Sequence, residues 1–355
     1  MLRAVQLAWR GAGPTRPNPP VGAVVVKDGR KVGEGYHRRA GGPHAEVLAL
    51  RRAGRDARGA TLYVTMEPCS TWGRTPPCTD AILSCGVRRV VAAARDPNPK
   101  HRGRGLARLR RQGIRVSEGV CAAEGLELAR GFSKWVTTGR PYVTLKMAMT
   151  LDGKIADARG NSRWISGAAS RAVVQELRRR SDAILVGAGT VRSDDPSLLP
   201  RPARGRMPFR VVVSSRGGIP PGARMLRDDG RARTIVAVST RCPKARVVRL
   251  ARAGVRVWVL GGRRGRVRLA EVLGRLGREG CLQVLCEGGS ELAGELVRDH
   301  LVDEYVFFVA PRLVGGRRAP GAVGGMGLTL DSSRLARVVE CRHVGSDLMV
   351  KAVRR

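Results

Sequence analysis

The sequence predicts an α/β protein built from two layered domains. Short apolar runs alternate with amphipathic helical stretches along the chain, which is the pattern of layered α/β folds. Several of the runs are continuous, as in a sheet covered on both faces. A turn-rich Thr138-Gly139-Arg140-Pro141 then breaks the pattern, and 355 residues leave room for two cores. The expected domains are residues 1–139 and 140–355.

Residues 1–13 read as a basic amphipathic helix with no apolar segment or cleavage site, hence not a secretory signal. Residues 21–26 and 32–36 flank Asp28-Gly29, a hairpin signal. A helix over 45–53 follows, with Val47, Leu48 and Leu50 apolar. The strand over 61–66 is closed by Pro68. A helix over 79–85, a strand over 87–94, and a helix over 104–112 stopped by Gly113 come next. A strand over 114–117 and a helix over 122–137 complete an α/β/α domain. The second domain shows strands over 142–147, 183–186, 209–213, 234–239, 255–260, 282–286 and 304–309. Residues 201–206 and 261–268 read as basic loops, and no internal repeat is found.

The net charge of +37 is extreme, and 58 of the 66 basic residues are arginine. Such a charge suits a polyanion. The arginines are scattered over helix surfaces, however, and aromatics make up only 4%, too few for a base-stacking platform. Coding bias toward arginine, alanine, glycine and valine explains the balance better than a dedicated nucleic-acid partner. No run of eighteen apolar residues occurs, so no membrane span is expected. Eight irregularly spaced cysteines argue for a reducing cytoplasm over a disulfide framework.

Chemistry concentrates first at His44-Ala45-Glu46, Pro68-Cys69 and Cys78. One imidazole and two thiolates hold zinc in three positions and leave a fourth open, as catalytic zinc sites do. Such a site lowers the pKa of water to about 7. Glu46, two residues past the histidine, is then free to move protons. This is the H-x-E…P-C signature of hydrolytic zinc deaminases. Eight residues separate the two cysteines, where two are usual. A buried cysteine pair beside an ordinary histidine is the competing reading.

A second set of signals lies beyond residue 140. Cys286-Glu287-Gly288-Gly289-Ser290 joins a strand to a helix over 291–297 and suits a dinucleotide pyrophosphate; tight strand–helix packing explains it equally well. Ser214, Ser215 and Arg216 follow a strand and can hold the 2′-phosphate of NADP, or Arg216 is a solvated surface arginine. Gly187-Ala188-Gly189-Thr190 is a candidate phosphate or nicotinamide loop. Asp194-Asp195-Pro196 reads as a turn, and so does 151–156 around Lys154. Trp164 packs on a cofactor ring or, as the safer expectation, in the core.

Several stretches together resemble one family. They are Arg16-Pro17-Asn18-Pro19-Pro20-Val21-Gly22, Pro43-His44-Ala45-Glu46-Val47, Glu67-Pro68-Cys69-Ser70, Gly73-Arg74-Thr75-Pro76-Pro77-Cys78 and Asp96-Pro97-Asn98-Pro99. In the second half they are 150–156, Gly189-Thr190-Val191, Asp194-Asp195-Pro196, Glu287-Gly288-Gly289 and 310–316. The chain is similar to the bifunctional deaminase–reductases of riboflavin biosynthesis.

That resemblance implies a cytidine-deaminase-like α/β/α domain followed by a dihydrofolate-reductase-like α/β domain. It implies zinc-dependent deamination of 2,5-diamino-6-(5-phosphoribosylamino)pyrimidin-4(3H)-one, then NADPH-dependent reduction to 5-amino-6-(5-phosphoribitylamino)uracil. It places His44, Cys69 and Cys78 on zinc and Glu46 on proton transfer. Ala148, Trp164, Thr190, Asp194, Ser215, Gly289, Ser290, Glu291, Leu292, Ala293, Gly294 and Glu295 fall on NADP contacts. Ser162, Arg178, Leu198, Arg201 and Glu287 fall on substrate contacts, with Arg178 and Arg201 suited to phosphate. The family usually has a histidine after Cys69-Ser70, where this chain has Thr71-Trp72. A cytoplasmic homo-oligomer acting on a phosphorylated pyrimidine ribotide is expected. A deaminase acting on nucleic acid and a chain with a single surviving activity are the other readings.

Overall fold

The computed structural model describes residues 1–203, 206–263 and 265–355. It divides into two compact units, Met1–Arg140 and Pro141–Arg355.

The first unit runs α1 (Leu2–Trp9), β1 (Gly22–Lys27), β2 (Arg30–Tyr36), α2 (Ala45–Ala53), β3 (Thr61–Met66), α3 (Cys78–Ser84), β4 (Arg89–Ala94), α4 (Arg104–Arg111), β5 (Arg115–Glu118) and α5 (Ala122–Thr138). Its sheet has the order β2-β1-β3-β4-β5. β1 pairs antiparallel with β2 and β3, while β3, β4 and β5 are parallel. Strand alternation sorts the core. Ala23 and Val25 face a cluster with Ala45, Ala49 and Leu50 of α2, whereas Val24 faces Ala4 and Leu7 of α1. α2 lies very close to β2: a methyl group on Gly35 would stand 2.7 Å from Leu48 Cβ and 2.8 Å from the Ala45 carbonyl oxygen. The sequence places α3 one residue late. The helix begins at Cys78 itself, because Pro77 supplies the extended residue that precedes its first turn.

The second unit runs β6 (Tyr142–Thr150), α6 (Ala168–Arg180), β7 (Ala183–Gly187), α7 (Ala188–Asp194), β8 (Phe209–Val213), α8 (Arg224–Arg227), β9 (Thr234–Ser239), α9 (Lys244–Arg252), β10 (Arg256–Leu260), β11 (Gly262–Arg263), β12 (Arg266–Val267), α10 (Leu269–Arg278), β13 (Gln283–Cys286), α11 (Ser290–Arg298), β14 (Glu304–Ala310), β15 (Ala336–Val344) and β16 (Asp347–Arg354). Nine strands form one sheet in the order β10-β9-β8-β7-β13-β6-β14-β16-β15. The first seven strands in that order, from β10 to β14, are parallel, and β16 and β15 close the edge antiparallel.

Both faces are covered. Leu185, Val211 and Ile235 pack with Leu273 and Leu276 of α10, and with Leu296 of α11. Ile184, Val212 and Val236 pack on the other face with Leu250 of α9. This explains the continuous apolar strands.

Two of the expected loops hold regular structure. The loop over 187–190 is the end of β7 and the first turn of α7. The basic loop over 261–268 contains the β11–β12 hairpin, with residue 264 outside the described residues. The loop over 201–206 includes residues 204 and 205, which also lie outside them. Trp164 is not in the core; it is 63% exposed, with the Arg171 guanidinium 4.6 Å over its ring.

Candidate active sites

In the first unit, the sheet and two helix starts bring the zinc-type residues together. His44 is the residue before α2 and is extended, so its ring projects from the helix end. Glu46 sits in the first turn of α2, only 3% exposed. Cys69 follows β3, and Cys78 opens α3.

His44 Nδ1 stands 3.1 Å from Cys78 Sγ and 3.6 Å from Cys69 Sγ. The three ligand atoms lie within 4.8 Å of one another. Tetrahedral zinc with bonds of about 2.0–2.3 Å needs ligand atoms at about this spacing, so the donor set fits. The Cys78 backbone N–H donates to Cys69 Sγ at 3.3 Å. His44 Nε2 lies 3.4 Å from Thr75 Oγ1, which orients the ring so that Nδ1 faces the thiols. His37 meets the His44 ring edge-on at 5.1 Å, itself held by Pro43 O and the Asn18 side chain.

Electrostatics agree with the geometry. Hydrogen bonding from the Cys78 side chain, with His44 acting the same way, holds the Cys69 thiol far below its ordinary range. Its hydrogen bond to Cys69 and its burial push the Cys78 thiol the other way, above its ordinary range. Burial pushes the Glu46 carboxyl up, which suits a group that must carry a proton.

Glu67 was not singled out as a functional residue by sequence reasoning. It is buried, and its carboxylate accepts from the backbone N–H groups of Asp96, Gly103, Gly105 and Leu106 at 2.8–3.3 Å. It thereby caps α4 and fixes the chain just ahead of Cys69. An acidic residue directly after a strand and before Pro-Cys was the available signal. Thr71 and Trp72 are exposed, and Thr71 Oγ1 lies 3.5 Å from His101 Nδ1.

In the second unit a cleft of about 1730 Å³ opens along the carboxyl ends of the parallel strands, where open α/β sheets bind nucleotides. Ala148, Trp164, Thr190, Asp194, Ser215, Gly289, Ser290, Glu291, Leu292 and Glu295 line it, as do Ser162, Arg178, Leu198, Arg201 and Glu287. Ala293 and Gly294 do not. Ala293 is in the core, and Gly294 packs on the backbone of Gly324.

The Gly-Gly turn is tight against α7, since a methyl group on Gly288 would stand 2.9 Å from Thr190 Oγ1. Ser162 Oγ donates to Asp194 at 2.9 Å. Arg178 holds Glu287 in a bidentate pair at 2.6 and 2.8 Å, so two of its nitrogens already have a carboxylate partner. Hydroxyls, a helix start and arginines along one cleft fit a phosphorylated dinucleotide.

Lys146 also lines the cleft, within electrostatic reach of Glu287 and Arg178. Burial pushes its ammonium below the usual lysine range. Sequence reasoning passed over it; the only signal was one lysine in an otherwise apolar strand. Among the described residues, no helix is long and apolar enough to cross a membrane, and all eight cysteines are free.

Comparison with known proteins follows the same division. Residues 141–350 match the family model of the RibD C-terminal domain. Residues 1–94 match that of the cytidine and deoxycytidylate deaminase zinc-binding region. Riboflavin biosynthesis protein RibD of Aquifex aeolicus is 42% identical over 353 residues, covering 99% of this chain and 96% of the relative. That of Escherichia coli is 42% identical over 370 residues, covering 99% and 98%. Among solved structures, the diaminohydroxyphosphoribosylaminopyrimidine deaminase/5-amino-6-(5-phosphoribosylamino)uracil reductase of Thermotoga maritima superposes with a TM-score of 0.87 at 38% identity, covering 100% of this chain and 97% of that one. Acinetobacter baumannii RibD gives 0.86 at 36% identity, with the same coverage.

Proposed function

The chain belongs to the RibD family of riboflavin-biosynthesis proteins, with a zinc-dependent deaminase and an NADPH-dependent reductase in one polypeptide, and from that premise we propose which residues carry each reaction. Residues 1–139 are the deaminase domain and 140–355 the reductase domain. The substrate of the first is 2,5-diamino-6-(5-phosphoribosylamino)pyrimidin-4(3H)-one. That of the second is the deaminated product, reduced to 5-amino-6-(5-phosphoribitylamino)uracil. The observation that supports this best is the His44, Cys69 and Cys78 cluster, with its ligand atoms within 4.8 Å, in the same unit as a buried carboxylic acid.

His44, Cys69 and Cys78 hold zinc, which when bound supplies the Lewis acidity that makes water nucleophilic at neutral pH. Glu46 takes the proton of the attacking water. It gives that proton to the ring nitrogen, then takes the proton left on the added hydroxyl and delivers it to the amine, which departs as ammonia; burial, by raising the carboxyl's pKa, helps it carry each proton. Glu67 positions Cys69 through the backbone it caps.

NADPH supplies the hydride of the second reaction. Glu287, oriented by Arg178, holds the sugar so that its C1′ faces the donor. Lys146 gives a proton to the ring oxygen freed as the sugar opens, so one hydride and one proton yield the ribityl chain. Arg201 takes the phosphate, with Ser162 and Leu198 at the substrate wall. Ala148, Trp164, Thr190, Asp194, Ser215 and 289–295 form the nucleotide wall, where Ala293 and Gly294 act by packing. The same reading carries assembly of copies into a homo-oligomer and a cytoplasmic location, in keeping with the eight free cysteines.

Product mass after incubation of the zinc-loaded protein with the diaminopyrimidine ribotide tests this. Deaminated uracil alone without NADPH, and the ribityl product with it, is the expected result. Reduction of supplied uracil ribotide without any deamination would overturn the assignment of the first site.

A further inference from the structure

Resting on the reading of the first unit as a deaminase of a phosphorylated pyrimidine ribotide, we propose that His101 is a substrate-binding residue of that site, whose Nε2–H donates to the phosphate of the ribotide. Position is the first ground. Cys69 and Cys78 are the two ends of one loop, and residues 71–74 of that loop are exposed. The chain over 96–105 runs beside it. A methyl group on Gly105 would stand 1.9 Å from the Pro68 carbonyl oxygen, so α4 starts directly on the residue before Cys69. Asp96 is within electrostatic reach of both Cys69 and His101. The reacting carbon of the substrate belongs at the buried metal ligands. Its phosphate, too costly to bury, belongs at the solvent edge beside them, which is where Thr71 and His101 stand.

The way His101 is presented is the second ground. Its turn is tied to Glu67, whose carboxylate accepts from the Asp96 N–H at 3.1 Å and from the Gly103 N–H at 2.8 Å. The His101 N–H donates to the Asn98 carbonyl at 2.9 Å. In the ring, Nδ1 lies 3.5 Å from Thr71 Oγ1, and among the described residues Nε2 has no partner. With the Thr71 hydroxyl donating to Nδ1, the ring proton sits on Nε2, a donor facing away from Thr71. Lys100, Arg102 and Arg104 around it are exposed and, among the described residues, without a carboxylate partner. A donor in so positive a setting suits a phosphate oxygen. The third ground is the departure at Thr71. Where the family usually has a histidine after Cys69-Ser70, this chain instead brings the His101 imidazole to within 3.5 Å of the side chain at that position.

The test is the KM of the full-length, zinc-loaded protein for the diaminopyrimidine ribotide, read as ammonia release without NADPH. His101→Asn keeps an atom at the place of Nδ1 and has none at that of Nε2; His101→Gln does the reverse. His101→Asn is expected to raise KM about tenfold, with kcat moved much less, and His101→Gln to stay within about threefold. Thr71→His added to His101→Asn should bring KM back to within about threefold of wild type. The opposite order, with Gln harmful and Asn harmless, would mean that His101 only braces Thr71, and overturns the proposal. So does a KM unchanged in both variants, or raised in both without rescue. Zinc content and reduction of supplied uracil ribotide, both expected to match wild type, show that the variants are folded. Wild-type protein that releases no ammonia from the ribotide overturns the reading of the first site itself.

Discussion

Among single residues, those with fixed spacing were legible in the sequence. His44, Glu46, Cys69 and Cys78 each bear chemistry, and few other roles explain them together. Lys146 was not legible, because one lysine in a strand has no spacing to identify it; only the fold sets it beside Glu287. A run such as 289–295 cannot all face one cleft, since a helix turns about 100° per residue. That is why Ala293 and Gly294 point into the protein while Ser290, Glu291 and Leu292 line the cleft. Glu46→Gln removes the proton carrier and keeps the volume. Ammonia release should fall by about 10²–10⁴-fold, with metal content, measured by elemental analysis, unchanged. Lys146 has a different signature. Its depressed pKa means that the protonated fraction is lost below the ordinary 10.5 as pH rises. The reduction rate should therefore fall on an alkaline limb below that value. In Lys146→Met the limb should be absent and the rate lower by about 10²-fold, as a pH–rate profile on supplied uracil ribotide would show.

At the level of elements, strands and helices of the first unit were read within a residue or two, because their apolar periods are clean, except α1, which was expected over 1–13 and ends at Trp9. Elements were missed where glycine and arginine hide the period, as in α7 and the β11–β12 hairpin, and the edge strands β15 and β16 were not read either, β15 being exposed along almost its whole length. The contact between α2 and β2 has functional weight because α2 carries Glu46 and His44 stands directly before its first turn. Gly35→Val must push α2 off the sheet, and overpacking of this kind costs about 1–3 kcal/mol. Zinc retention after dialysis and ammonia release should both fall, while NADPH binding stays. α1 is tied to β2 through Arg3 and Glu34 at 2.8 Å, with Lys31 as a second partner. Hydrogen bonds from Arg3 and Lys31 lower the Glu34 carboxyl to about 2 from 4.5. Between those values the unfolded chain binds a proton that the folded chain does not, so this contribution is lost as pH falls through the window. Glu34→Gln should cost under about 1 kcal/mol near neutrality. Its difference from wild type should vanish by about pH 2 in urea denaturation.

For the whole molecule, two α/β units were legible from the turn-rich break and the continuous strands. The order of the strands was not, since pattern alone does not say which parallel strands become neighbours. The two sites are built wholly within separate units, the first from residues 1–140 and the second from 141–355. Removing metal with a chelator should therefore abolish ammonia release and leave reduction of supplied uracil ribotide within about twofold, a separation that a readout of NADPH oxidation would reveal. β6 opens the second unit yet lies inside its sheet, with Tyr142 paired to Gln283 and Thr144 to Glu304. On the ribosome, that strand emerges long before either neighbour exists. Its apolar face must wait, unpaired, through the synthesis of most of the reductase half. Nascent chains are thus exposed to wrong pairing for that interval, and slower, cooler expression should raise the fraction of purified chains that bind NADPH more than the fraction that bind zinc.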